Sequence, residues 1–365
     1  MRRLSLCLFA LVFLVAACGH PLIPATYTTQ PPAAKKHRTV TLNGPAAVPG
    51  GPVVGVDLYA LSNYPTAMVE ADGQRTLQYI KTVLKANAVG IVWDLYAPSR
   101  TSDTVHATAN TLSPANVDIL TEIAEQDGLK VFYRPLIFVS DRPRAPWEGK
   151  ITPASPSRWF DSYYRAELPY LRAAQQFGVS EFVAETEMHA MNANPGWTVF
   201  YRRIAKVYHG VVSSASWDGD FFPPTGHLQH LSALGMDMYE KAPHLAASAP
   251  EAKVLTAFES FFNTMPKAVL ARTTIQEMGI EARSGAYQDP PNLEAAGALD
   301  ERVQANWFTA ACQAVRKYDM RGVFFWKVDL TDNPAFPASS LSTFEGKLGA
   351  KAIAGCASIL ASPAN

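Results

Sequence analysis

Eight short runs rich in β-branched and aromatic residues, separated by longer stretches of helical periodicity, leave this chain few folds to adopt. The runs are Val53–Tyr59, Val89–Leu95, Lys130–Phe138, Glu181–Glu187, Gly210–Trp217, Leu234–Tyr239, Thr273–Met278 and Gly322–Asp329. Between them the pattern predicts helices over Gln74–Ala86, Pro114–Gln126, Trp159–Gln176, Thr198–Tyr208, Pro266–Ala271 and Glu301–Tyr318, and the tail Leu341–Leu360 supplies the last helix. Strands that alternate with helices pair in parallel, because a crossover helix returns the chain to the same end of the sheet. Ser113-Pro114 is a helix start, and Gly128 and Gly178 are stops just before strands. Eight units over about 280 residues fit a closed (β/α)8 barrel. The alternative is an open doubly wound sheet. Its dinucleotide-binding form needs a glycine-rich loop after the first strand, where Asp57-Leu58-Tyr59 stands instead.

Upstream of the barrel, Met1-Arg2-Arg3 precedes the apolar run Leu4–Ala17 and then Cys18. This is the pattern of an export signal. Val15-Ala16-Ala17-Cys18 resembles the lipobox of bacterial lipoproteins, which implies removal of residues 1–17 and a lipid on Cys18. An ordinary secretory signal is the alternative, and both predict a protein exported to the periplasm or cell surface. Residues 18–50 carry six prolines and no hydrophobic period, so they are expected to tether residues 51–365, a single monomeric domain, to the membrane. The basic run Lys35–Arg38 reads as solvated or as touching lipid headgroups.

Lys plus Arg equals Asp plus Glu at 32 each, which gives no electrostatic reason to expect nucleic acid. Of the four cysteines only Cys312 and Cys356 fall in the domain; they either pair or remain buried thiols. The histidines form no HExxH or comparable set, so neither a metal nor another cofactor is expected, and a metal-dependent deacetylase lacks its ligands.

In such a barrel the chemistry sits at the C-terminal ends of the strands. There the sequence places Asp57, Trp93, Asp94, Arg134, Glu185, Glu187, Trp217, Asp237, Tyr239, Glu277, Trp326 and Lys327, with Trp147 in the loop after strand three. Each alone reads equally as a rim or core residue; their recurrence on all eight strands points to a site. Glycosidic cleavage needs two carboxyls flanking one bond, one protonated and one ionised. Glu187 and Glu277, on strands four and seven, meet that need as general acid/base and nucleophile. A separation of about 5–5.5 Å would retain configuration and about 6.5–9.5 Å would invert it. Glu185, two residues before Glu187, is expected on the same face, as a rival or as a like charge that raises the acid. Tyr239 is expected to bond Glu277, and Arg134 to pair with a carboxylate or hold a substrate hydroxyl. The tryptophans are expected to stack on sugar rings. A carbohydrate-binding or envelope-assembly lipoprotein without turnover is the competing reading.

The same residues resemble glycoside hydrolase family 113. Trp147-Glu148-Gly149-Lys150-Ile151-Thr152-Pro153 with Trp159–Tyr163 is similar to the family's W-x-G-x-I-x-P segment, and Phe182–Met188 to its strand four, with the motif's glutamate on Glu187. Trp197, Tyr208-His209-Gly210 and the strand ending at Trp217 follow in family order. Ile275–Ile280 echoes the strand that carries the nucleophile, here Glu277, and Gln304–Phe308 and Gly322–Trp326 resemble the last helix and strand. The resemblance implies a retaining (β/α)8 enzyme of β-mannanase type. Two positions depart from it: Glu185 replaces a glycine, and Asp237–Lys241 replaces the usual end of strand six.

Overall fold

The computed structural model describes residues 51–140, 147–218, 228, 231–293, 295–336 and 340–362. The signal expected over 1–17, the lipid on Cys18 and the tether over 18–50 lie outside them. Eight parallel strands close in sequence order: β1 (Val53–Tyr59), β2 (Ala88–Ala97), β3 (Lys130–Val139), β4 (Glu181–Thr186), β5 (Val211–Trp217), β6 (Leu234–Met238), β7 (Thr273–Met278) and β8 (Gly322–Asp329), with β8 pairing back onto β1. Helices α1 (Thr66–Thr82), α2 (Pro114–Gln126), α3 (Pro156–Phe177), α4 (Gly196–Ile204), α5 (Glu251–Phe262), α6 (Lys267–Leu270), α7 (Glu301–Lys317) and α8 (Leu348–Ala361) cover it.

Local signals account for most boundaries. The Ser113 hydroxyl accepts the Asn116 amide at 3.3 Å and starts α2, and Gly178, at φ 67°, ends α3 in the left-handed region. Helix α1 begins at Thr66 rather than Gln74. Gly73 lies buried inside it, and a Cβ there would stand 2.7 Å from the Leu120 side chain of α2. The glycine therefore lets two helices approach closely. Helix α5 has no counterpart among the predicted elements, although Val254, Phe258 and Phe262 form its buried stripe at a spacing of four.

Inside the strands the contents change in layers. Val53, Ala88, Phe132 and Phe324 form an apolar plug separate from the main core. At the N-terminal ends, Arg321 pairs with Glu181 at 2.7 Å, and Glu181 also accepts from Ser213 and Gln276. Above these lies Arg134, and above it the mouth. A buried charge without partners costs several kcal/mol, so these pairings allow a polar column to run up the barrel axis.

Cys312 of α7 and Cys356 of α8 form a disulfide with a Cα–Cα distance of 5.5 Å, deciding between the two expectations for these residues. Replacing both by Ala is expected to lower unfolding free energy by about 2–4 kcal/mol. Denaturant titration without reductant checks this; an unchanged midpoint would show that the bridge contributes nothing to stability.

Candidate active site

Arg134 of β3 organises the centre of the mouth. Its guanidinium reaches Asp57 of β1 at 3.2 Å, Asp237 of β6 at 2.8 Å and Glu277 of β7 at 2.8 Å, and donates to the Gln276 carbonyl at 2.8 Å. Burial opposes the charge on Arg134, but Asp237, Glu277 and Asp57 together outweigh it and raise its pKa further. Burial lifts Asp57 and Asp237 above the usual carboxylate range, with Arg134 pulling each back. Two tyrosines complete the coordination of Glu277: the Tyr239 hydroxyl donates to Oε2 at 2.7 Å and the Tyr59 hydroxyl to Oε1 at 3.0 Å. Burial and then the charge of Glu277 raise both phenols, so both stay protonated as donors. Tyr59 in turn accepts from the Trp326 indole at 2.8 Å, and the Tyr239 amide donates to Asp218 at 2.8 Å. Glu277 thus has two hydroxyl donors and an ion pair with Arg134 on its two oxygens, each partner braced from behind.

Glu187 follows the last residue of β4. It takes φ 48°, a left-handed conformation that costs a non-glycine residue about 1 kcal/mol or more, and its amide donates to the Ala215 carbonyl at 2.6 Å. The carboxylate accepts the Trp147 indole N–H. Trp147 begins a single 3-10 turn, Glu148–Lys150. A Cβ on Gly149 would stand 2.4 Å from the indole, so only glycine lets the ring fold back over the turn toward Glu187. Burial pushes the Glu187 carboxyl well above its ordinary value, and the charges of Glu148 and Glu277 push it further, against the indole hydrogen bond and Arg134. Glu148 is itself raised to about 7, mainly by burial, with Glu277 adding to the rise.

Aromatic residues extend the site on the β4–β5 side. Trp147 stacks on His189 at 5.7 Å between ring centroids and meets the edge of Trp217, also at 5.7 Å, and Trp217 is 37% exposed. A small open pocket lies there, lined by Glu185, Glu187, Met188, His189, Asn192, Ser216 and Trp217. On the β8 side, Lys327 bonds both oxygens of Asp329 at 2.6 and 2.8 Å, with its ammonium 4.9 Å from the centre of the Tyr59 ring. Asp94 lies at the wall of the mouth, its carboxyl raised to about 7 by burial and held back by Lys327.

Several residues expected to touch sugar do not face the opening. Trp93 is fully buried and stacks on Tyr170 of α3 at 4.4 Å, because strand alternation that turns Asp94 inward turns Trp93 toward the helices. Asp57 and Asp237 are sealed beneath the mouth as partners of Arg134, and Arg134, equally buried, bonds carboxylates rather than an incoming hydroxyl. Glu185 lines the same pocket as Glu187, but its carboxylate is engaged away from Glu187. The register of β4 shifts between Val183 and Thr186, the Glu185 carboxylate accepts the Met188 amide at 3.2 Å, and its charge acts on Glu167, Tyr163 and Tyr201 of α3 and α4. The like charge that raises Glu187 comes instead from Glu148, which occupies a variable position of the W-x-G motif. Tyr59 was also missed as a partner of Glu277; its place on β1, two residues after Asp57, was the available signal.

Among the described residues, no group of three or more His, Cys, Asp or Glu has the arrangement to hold a metal ion. The model of Glycoside Hydrolase Family 113 matches residues 67–344. The β-mannanase AaManA from Alicyclobacillus acidocaldarius, solved in complex with ManMIm, superposes with a TM-score of 0.70 at 18% identity, covering 86% of this chain and 100% of that one. A second GH113 β-1,4-mannanase does so at 0.70 and 15% identity, over 84% and 98% of the two chains. The GH5_18 protein of Streptomyces cattleya, solved with GlcNAc, gives 0.54 at 14% identity, over 86% and 82%. At such identities these superpositions bear on the fold alone, and no curated protein matches the chain in sequence. The family match runs from the first turn of α1 to beyond β8, well over half of the sequence: the chain belongs to glycoside hydrolase family 113 and is a glycoside hydrolase built on a (β/α)8 barrel.

Proposed function

We propose that the protein is a retaining β-glycosidase of mannan-like polysaccharide, with Glu277 as nucleophile and Glu187 as general acid/base. The unequal surroundings of the two carboxyls support this division most directly. Glu277 pairs with the Arg134 guanidinium and accepts from Tyr59 and Tyr239, which stabilise negative charge, whereas burial and the charges of Glu148 and Glu277 favour a proton on Glu187. In the first step a Glu277 oxygen bonds to the anomeric carbon as the glycosidic C–O bond breaks, and the Glu187 proton passes to the departing oxygen. In the second, Glu187 takes a proton from water, whose oxygen displaces Glu277 and releases the sugar with its original configuration.

The β-mannanases that superpose on the chain favour a mannan backbone. Incubation with β-mannan and an aryl β-mannobioside tests the reading, with the first-formed product followed by NMR. The β-anomer is expected first. Early α-anomer would reject retention, and binding without any hydrolysis would favour the non-catalytic alternative.

The signal-like residues 1–17, Cys18 and the disulfide between α7 and α8 support an exported lipoprotein, since such bridges persist in oxidising compartments. Cys18→Ala is expected to move most of the protein from the membrane fraction to the soluble exported fraction. An unchanged distribution on fractionation would remove the anchor from the proposal.

A further inference from the structure

Strands β2 and β3 are ten residues each, longer than the other six, and they pair without a break from Ala88 against Lys130 to Ala97 against Val139. The extra length raises one wall of the mouth on the side of Asp94 and Arg134. Side-chain alternation fixes what that wall presents. Arg134 points inward to Glu277, so Leu136 and Phe138 share its face; Asp94 and Tyr96 share the corresponding face of β2. At the top of the ladder Tyr96 stands directly opposite Phe138, with ring centroids 5.6 Å apart and planes tilted by 57°.

Phe138 is 37% exposed, an unusual exposure for a phenylalanine on an inward strand face, and Tyr96 is half-buried. The end of β2 is pinned from outside. The Tyr96 amide donates to the His106 carbonyl at 2.9 Å, the His106 amide returns the bond at 3.0 Å, and the Tyr96 hydroxyl bonds to Thr108. The pair is therefore a fixed aromatic surface continuous with the mouth, on the wall that carries Asp94, while the Trp147–His189–Trp217 group lies beyond Glu187 on the β4–β5 side.

We propose that Tyr96 and Phe138 form a sugar-stacking subsite on the β2–β3 wall that binds a unit of the glycan chain away from the bond being cut. A pyranose ring offers an apolar C–H face to an aromatic plane and its hydroxyls to polar neighbours. The wall supplies both kinds of surface, with the aromatic pair above the Asp94 carboxyl. The inference rests on the reading of the site as a glycosidase. It adds a specific consequence: part of the affinity for long chains comes from residues that the short substrate does not reach.

The test compares wild type with Tyr96→Ala, Phe138→Ala and the double variant on β-mannan, on a ladder of manno-oligosaccharides and on an aryl β-mannobioside. The ratio of kcat/KM on long to short substrates is expected to fall about two- to tenfold per ring removed, the range for one aromatic contact. The loss should appear mainly in KM and begin at one particular chain length. Tyr96→Phe, which keeps the ring, should retain most of the ratio. An unchanged ratio in the double variant would overturn the subsite, and so would an equal loss on all substrates. Should the wild type hydrolyse nothing, the glycosidase reading fails separately. Calorimetric titration with mannohexaose then decides the subsite, since the double variant must bind it more weakly than wild type.

Discussion

Glu277→Ala is expected to lower kcat/KM on an aryl β-mannobioside by about 10⁴- to 10⁶-fold, the scale on which an enzyme loses a covalent nucleophile. The size of the effect follows from how much of the mouth is arranged around this one side chain. Tyr59 and Tyr239 donate to it and Arg134 pairs with its charge, and Asp57, Asp237, Asp218 and Trp326 hold those partners in turn. Removing the carboxylate leaves Arg134 with its two remaining acids, so the fold survives while the attacking atom is gone. A small external anion such as azide should then occupy the vacated space and restore part of the turnover, giving a product of inverted configuration. Tyr239→Phe, which removes one donor and keeps the ring, should cost far less, about 10- to 100-fold. Were Glu277→Ala to keep more than about a hundredth of the wild-type rate, Glu277 would not be the group that bonds to the sugar.

How much of this was legible beforehand depended on distance along the chain. The barrel is written in periodicities of two and of about 3.6, which are local, so its strands fall within a few residues of the predicted ones. The sites of disagreement are also physical. The first helix starts at Thr66 rather than Gln74, and Gly73 inside it serves a contact with Leu120 of another helix. Trp93 and Asp94 are neighbours at a strand end, and only knowing which face points inward separates a core residue from a mouth residue. Glu185 shows the limit of alternation: a register shift in β4 sets its carboxyl beside Glu167, Tyr163 and Tyr201, which the spacing of residues 185 and 187 could not reveal. Glu148 was invisible for a different reason. It stands at a variable position of a recognisable motif, and its importance comes from the fold of a three-residue turn that brings it beside Glu187.

That turn carries the second large prediction. Glu187→Gln is expected to lower kcat/KM about 10²- to 10⁴-fold on polysaccharide, whose departing alcohol needs a proton, and to abolish the alkaline limb of the pH profile. With an aryl leaving group, which departs without that proton, the bond-breaking step should lose much less. Under the proposed mechanism the alkaline limb of the wild type is the loss of the Glu187 proton, so a raised carboxyl is expected to hold activity to higher pH. Burial contributes most to that rise, followed by Glu148 and Glu277; Arg134 and the Trp147 indole oppose it. Glu148, raised to about 7 itself, gains its charge within the working range and then makes the Glu187 proton harder to remove. The limb therefore belongs to the two glutamates together. Glu148→Gln keeps the shape of the turn and deletes one negative charge, so the alkaline limb should move to lower pH while the rate on the acid side stays near wild type. On a descending single-proton limb the rate falls about tenfold per pH unit, which makes even a modest displacement measurable from kcat/KM between pH 5 and 9. A limb that stays in place, or moves upward, would mean that the Glu148 charge does not act on the acid, and the raised carboxyl would then rest on burial and Glu277 alone.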